Sequence, residues 1–319
     1  MLDMFQGERH PLLNMSHEEQ DSASLMDDLL EKIGQLIIKG GDSIASFREE
    51  VLGDLDQRLN EATLSVGEGG VDPFGMDPAA LRTTAIGAAF LYKVYFRCIS
   101  SGLENVPDGP VILVANHAGQ LPIDGVMISC ALVLDKDPPR FARGMVDRWV
   151  PSLPFVSTFY SRIGMAVGTS ENAQHLLGRG EALLAFPEGM QGISKTVDEA
   201  YQLKPFSLGF MRLALATKTP IIPVGVVGSE EQYPTLYKIK SIGKLFGLPG
   251  VPIWAQMIVP VLGLLPLPVR YRLQFGEPMR FEGDPDDEDS AVQEMADDVS
   301  DRIQGMINSL RAERRSVFF

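Results

Sequence analysis

Val111-Ile112-Leu113-Val114-Ala115-Asn116-His117-Ala118-Gly119-Gln120-Leu121-Pro122-Ile123-Asp124 is the stretch on which the fold turns. Its first five residues are apolar without alternation, the mark of a strand covered on both faces. Gly119 and Pro122 interrupt any continuous element, and the apolar run from Asp124 to Leu134 has helical length. A strand that delivers a His and an Asp into the following loop places them at the carboxyl edge of a sheet. That edge is where α/β enzymes keep their chemistry. About seventy residues on, the run 182–186 ends in the same way, in Phe186-Pro187-Glu188-Gly189.

Outward from this core, strands and helices alternate. Strands are expected over 111–115, 140–145, 162–167, 182–186, 221–227 and 271–276, with helices over 124–134, 171–177 and 205–217. This order implies an α/β fold, a mixed and largely parallel sheet covered by helices. Helical extensions are expected at both ends. Near the N-terminus, Leu25, Leu29, Leu30, Ile33, Leu36 and Ile37 recur at helical spacing, and a second helix is expected over 42–62. The pair can dock on the main domain or join a second copy as a homodimer, and Gly67 to Gly70 reads as a linker. At the C-terminus, Val292, Met295, Val299, Ile303, Met306, Ile307 and Leu310 form the apolar face of a helix that follows an acidic loop. The resulting organisation is an acidic helical extension at 1–66, a catalytic domain at 80–280, and a loop and helix at 281–319.

Two segments carry membrane readings beside ordinary core readings. Residues 81–100 hold Phe90, Tyr92, Tyr95 and Phe96 with Lys93 and Arg97, the make-up of a core helix or of an interfacial one. Residues 245–269 lack any charge, yet five prolines bar a spanning helix, so strands and turns against lipid or in the core are expected. Phe246, Leu248 and Trp254 are the candidate lipid contacts.

Composition narrows the partners. The formal net charge is −14, which argues against nucleic acid. Residues 80–280 nevertheless balance to +5 and the remainder to −19, so a mildly basic middle faces an anionic substrate or membrane surface. Cys98 and Cys130 sit among apolar neighbours and suggest buried thiols, not a disulfide framework. The first thirty residues show no secretory signal, so a cytoplasmic location, peripheral on a membrane, is expected.

Acyl transfer from a thioester to an alcohol needs a base, donors for the oxyanion, and two substrates held close. His is the usual base near neutral pH, and an Asp on its second ring nitrogen fixes the tautomer. His117 and Asp124 are seven positions apart, about 10 Å along a helix, so only a turn brings them together. Asp124 can also serve as a helix cap. Gly189 allows close backbone approach, and Glu188 can bond acceptor hydroxyls.

Asn116-His117 with the later Asp124, then Arg162, then Phe186-Pro187-Glu188-Gly189, then Pro220-Ile221-Ile222-Pro223-Val224 resemble, in order, the four blocks of the 1-acylglycerol-3-phosphate acyltransferase family. The likeness covers roughly 80–280. It implies a glycerolipid acyltransferase-like fold, with His117 as general base, Asp124 as its partner, and no acyl-enzyme. Arg162, Glu188 and Gly189 would bind the acceptor, and the 220–224 strand would help form the donor site. The resemblance implies acyl-CoA or acyl-carrier protein as co-substrate, a lipid acceptor, and no metal or other cofactor.

Two departures mark a divergent branch. Six residues separate His117 from Asp124 where the family has four, and Met190-Gln191-Gly192 stands where Thr-Arg-Ser is common. Lys195, Lys204 or Arg212 can replace that missing Arg, or the acceptor lacks a phosphate. The alternative to an enzyme is a non-catalytic lipid-binding or scaffold protein on the same fold. The absence of Gly-x-Ser-x-Gly argues against a serine hydrolase.

Overall fold

A computed structural model describes residues 52–62, 72–148, 155–239, 251–258, 263 and 265–318. The helix expected from Ser24, the first part of the one expected over 42–62, the 67–70 linker, Phe246 and Leu248 lie outside these.

The sheet is built on β2 (Val111–Ala115), whose residues are all buried. It pairs in parallel with β5 (Ala182–Ala185) on one side and β6 (Ile221–Val227) on the other. β3 (Ala142–Val146) and β4 (Ala166–Val167) extend the parallel block beyond β5. β9 (Arg272–Phe275) runs antiparallel to β6, and β1 (Ile99–Ser101) lies parallel to β9 at the edge. The full order is β1-β9-β6-β2-β5-β3-β4, a mixed and mostly parallel seven-stranded sheet.

Alternation along β2 divides the core. Val111, Leu113 and Ala115 pack with Tyr92, Phe96, Met127 and Ile128. These come from the π-helical turn Leu91–Tyr95 that continues α2 (Pro78–Phe90), the residue after that turn, and α3 (Ile123–Leu134). Ile112 and Val114 face the other layer, with Leu176, Met211 and Ile303. That layer is formed by α5 (Ser170–Gly178), α7 (Gly209–Thr217) and α9 (Asp289–Glu313). Residues 50–319 form one compact unit, so the C-terminal helix lies in the same body as the sheet. α1 (Leu52–Glu61) buries Leu55 and Leu59 against Leu81, Val133 and Phe141, the face expected to dock or dimerise. Arg58 secures it by donating from Nε to the Val133 carbonyl at 2.7 Å.

Several boundaries differ from expectation, each for a local reason. The helix expected to Ser100 stops because Arg97 adopts φ +46, and Ile99 begins a strand. The Arg97 guanidinium holds that stop by donating to the carbonyls of Tyr95, Pro268 and Phe318. Tyr92 and Phe96 are fully buried, so these two aromatics belong to the core and not to an interface. The strand expected over 162–167 shrinks to β4, because α4 (Val156–Arg162) closes as a helix and Gly164 turns the chain. The helix expected from Pro205 begins at Gly209, since Ser207 N–H first bonds the Pro187 carbonyl at 3.0 Å.

The uncharged segment contributes β8 (Val251–Trp254), paired antiparallel with β7 (Thr235–Ile239) in a separate ribbon. Trp254 is half-buried, and its indole N–H bonds the Gly263 carbonyl at 2.7 Å. Among the described residues no helix is long and apolar enough to cross a membrane. Both cysteines are free, and burial pushes the Cys130 thiol up to about 12.

Candidate active site

The parallel ladder brings the carboxyl ends of β2, β5 and β6 side by side. Where β2 leaves the sheet, the buried Asn116 side chain replaces its backbone. The amide nitrogen donates to Val226 O at 3.0 Å, and the amide oxygen accepts Val226 N–H at 2.8 Å. The pair satisfies one donor and one acceptor of β6 that would otherwise be buried without partners.

Beyond this anchor the chain turns back on itself. Gly119 has φ +90 and Gln120 φ +65, both left-handed. A Cβ on Gly119 would come within 2.0 Å of the Gln232 amide nitrogen, which donates to Gly119 O at 3.1 Å. Gln232 comes from the short helix α8 (Ser229–Gln232) and is itself held by the Tyr271 hydroxyl at 2.7 Å. The longer loop is thus a tight turn braced from outside, and it closes the gap that a helix would leave. His117 Nδ1 lies 2.7 Å from Asp124 Oδ2.

Asp124 is buried, and both of its oxygens are engaged. Oδ2 also accepts Ala118 N–H at 2.9 Å, and Oδ1 accepts Gly125 N–H at 2.8 Å. Asp124 is the second residue of α3, so one carboxylate orients the ring and satisfies a first-turn donor. An ionised carboxylate only accepts, so in the neutral ring the hydrogen sits on Nδ1 and Nε2 has the lone pair. The His117 side chain is 14% exposed, and its ring stacks on Phe186 with centroids 4.2 Å apart. This arrangement fits a general base, with one nitrogen oriented and the other available.

The β5 loop is wired differently. Glu188 is buried, and both of its oxygens are taken by protein donors. Oε1 accepts His117 N–H at 2.9 Å, and Oε2 accepts Lys204 N–H at 2.8 Å. Lys195 Nζ stands 3.0 Å from Oε2 and 3.1 Å from Glu230 Oε1. Burial pushes the Lys195 ammonium down, but Glu230 and Glu188 together outweigh it and hold its pKa above the usual lysine value. Burial raises the Glu230 carboxyl. Gly189 starts the one-turn helix α6 (Met190–Ile193) at φ +52, with open space where its Cβ would be.

The structure therefore brings His117, Asp124, Glu188, Gly189 and Lys195 to one sheet edge. Arg162 is elsewhere. It ends α4, where its Nη2 is 2.5 Å from Asp77 Oδ2. The proposed replacements for the missing Arg are also engaged. Lys204 Nζ pairs with Glu199 at 2.7 Å, and Arg212 Nη2 pairs with Asp289 at 2.5 Å. Pro220 to Val224, read as part of a donor site, is central-strand core with Ile221, Ile222 and Val224 fully buried.

Sequence reasoning missed Asn116 as a strand anchor, Phe186 as the ring's stacking partner, and Glu230 as the second partner of Lys195. Arg148, just past β3 on the same sheet edge, is an exposed cation that sequence reasoning did not name. Only Asn116 and Phe186 carried a usable signal, since both flank an apolar run.

The acyltransferase family model matches residues 97–227, which include His117, Asp124 and Glu188. A Mycobacterium tuberculosis protein described as uncharacterized is 37% identical over 288 residues, 87% of this chain and 78% of that one. A Gallus gallus protein, "DGAT1/2-independent enzyme synthesizing storage lipids", is 30% identical over 182 residues, 57% of this chain and 52% of its own length. The structure of the 1-acyl-sn-glycerophosphate acyltransferase of Thermotoga maritima covers 88% of this chain and 97% of its own, with a TM-score of 0.48 and 16% identity. The family model lies on the strands that carry the site, so the chain holds an acyltransferase domain over residues 97–227.

Proposed function

We propose that this acyltransferase esterifies a lipid alcohol, moving a fatty acyl group from acyl-CoA or acyl-carrier protein to a hydroxyl of a glycerolipid or related lipid. The carrying observation is the 2.7 Å bond between His117 Nδ1 and Asp124 Oδ2, which leaves Nε2 as the base. Nε2 takes the alcohol proton as the alcohol oxygen attacks the thioester carbonyl. The new C–O bond forms, the C–S bond breaks, and the imidazolium returns its proton to the departing thiolate. Asp124 stabilises the imidazolium while it exists. No acyl group passes through the protein.

The acceptor is best read as lacking a phosphate. Arg162, Lys195, Lys204 and Arg212, the cations expected to hold one, are all paired with carboxylates. The printed description of the Gallus gallus relative, storage-lipid synthesis, agrees with a neutral acceptor. Arg148, exposed at the same sheet edge, favours a second reading with a phosphorylated acceptor.

Lipid would reach the site from a membrane on its cytoplasmic face. Leu121 in the His–Asp loop is 50% exposed, and Tyr237 on the neighbouring ribbon is 66% exposed. Gln120 donates to Thr235 Oγ1 at 2.8 Å, which joins that loop to the ribbon. At the β-bulge of that ribbon Leu236 and Tyr237 are both exposed, an apolar lip beside the base.

The test is transfer of labelled acyl groups by purified protein and by His117→Ala, with diacylglycerol and lysophosphatidate offered side by side. Loss of a general base should cost about 10²- to 10⁴-fold in rate. Full activity in the variant would overturn the reading, and the preferred acceptor would decide between its two forms.

A further inference from the structure

The second buried cluster is built from loops that are distant in sequence. Glu188 follows β5, Lys195 follows α6, Lys204 precedes α7, and Glu230 lies in α8 beyond β6. Glu188 Oε1 links this cluster to the base loop by accepting His117 N–H at 2.9 Å. The Lys195 side chain is 1% exposed, with two carboxylates on its ammonium. Gly192 seals the contact. A Cβ there would lie 2.7 Å from His117 O and 2.9 Å from Glu188 Cβ, so the α6 backbone is pressed against the catalytic loop.

Chemistry gives these contacts a direction. A buried carboxylate stays ionised only with a charged partner and full hydrogen bonding. Lys195 supplies that charge to Glu188, and Glu230 balances Lys195. Three protein donors hold Glu188 and its side chain is fully buried, so it is directed at the neighbouring loops and not at an incoming alcohol. Truncation of the ammonium would leave Glu188 without a countercharge and loosen its hold on His117 N–H.

We propose that Lys195 is a positioning residue: it holds Glu188 as a two-sided clamp that fixes the His117 loop to the β5 and β6 loops, and it does not bind the acceptor. This rests on the acyl-transfer reading above, but two of its three tests do not need turnover.

The first test compares Lys195→Met with the wild-type protein in steady-state acyl transfer. The clamp predicts a kcat lowered about 10- to 100-fold, the scale of a displaced catalytic group, with an acceptor KM changed by less than about twofold. A raised KM with kcat kept would show acceptor binding and overturn the proposal. In the second, hydrogen exchange over the peptide containing His117 should be faster in Lys195→Met, and an unchanged rate would overturn it. The third uses only wild-type protein and so survives a variant that fails to fold. Lysines are labelled by acetic anhydride with and without dioleoylglycerol in mixed micelles. Lys195 should be among the slowest to react, at a rate the acceptor does not alter. Fast labelling, or protection by acceptor, would overturn the proposal. Absence of acyl transfer in the wild-type protein would sink the proposed function, while the exchange and labelling results would still decide the clamp.

Discussion

The β2 loop and the β5 loop each bring one buried carboxylate to the same sheet edge, and they use it for different ends. Asp124 spends one oxygen on an imidazole ring and a backbone amide, and the other on the next amide of its helix. Glu188 meets only backbone amides and an ammonium. Asp124 therefore acts on the imidazole proposed as the base, whereas Glu188 acts on the chain that carries it. A carboxylate near a catalytic His does not declare its role by proximity. The atoms it faces decide.

The largest test of that contrast is Asp124→Asn. The amide nitrogen can face Nδ1 and favour the wrong tautomer, so kcat should fall about 10³- to 10⁴-fold. Steady-state assays check it, with circular dichroism to show that the fold persists. Asn116→Ala reaches the scaffold beneath both loops. It strands a buried N–H and a C=O of Val226, and denaturant unfolding should show a loss of about 2–3 kcal/mol. The smallest effect is expected at the apolar lip. Tyr237→Ser should weaken co-sedimentation with anionic vesicles severalfold, while activity on a detergent-dispersed acceptor should hold within about twofold, as expected for a surface side chain.

Much of this was legible in the residues. The unbroken apolar runs 111–115 and 221–227 announced two-sided burial, and both are central strands. The turn residues Gly119 and Pro122 implied a loop able to carry Asp124 back to His117. What stayed hidden depends on distant partners. Arg97 stops its helix by donating to Pro268 O, 171 residues away, and nothing local to 81–100 encodes that contact. Lys195 reads as a cation for the acceptor because nothing near it in the sequence encodes its two carboxylate partners. Only the convergence of α6 and α8 buries it. Phe186-Pro187-Glu188-Gly189 places a Glu at a strand end, but a turn tetrapeptide does not say whether that Glu points out to a ligand or back to the neighbouring loop.

The most direct test sets Glu188→Gln beside Asp124→Asn and measures kcat and acceptor KM for each. The glutamine oxygen can still accept His117 N–H, but its NH₂ then opposes the Lys195 ammonium. The division of labour predicts that Asp124→Asn loses about 10³-fold or more and Glu188→Gln about 10- to 100-fold, both in kcat and with acceptor KM little changed. A Glu188→Gln enzyme with normal kcat and a strongly raised acceptor KM would contradict it.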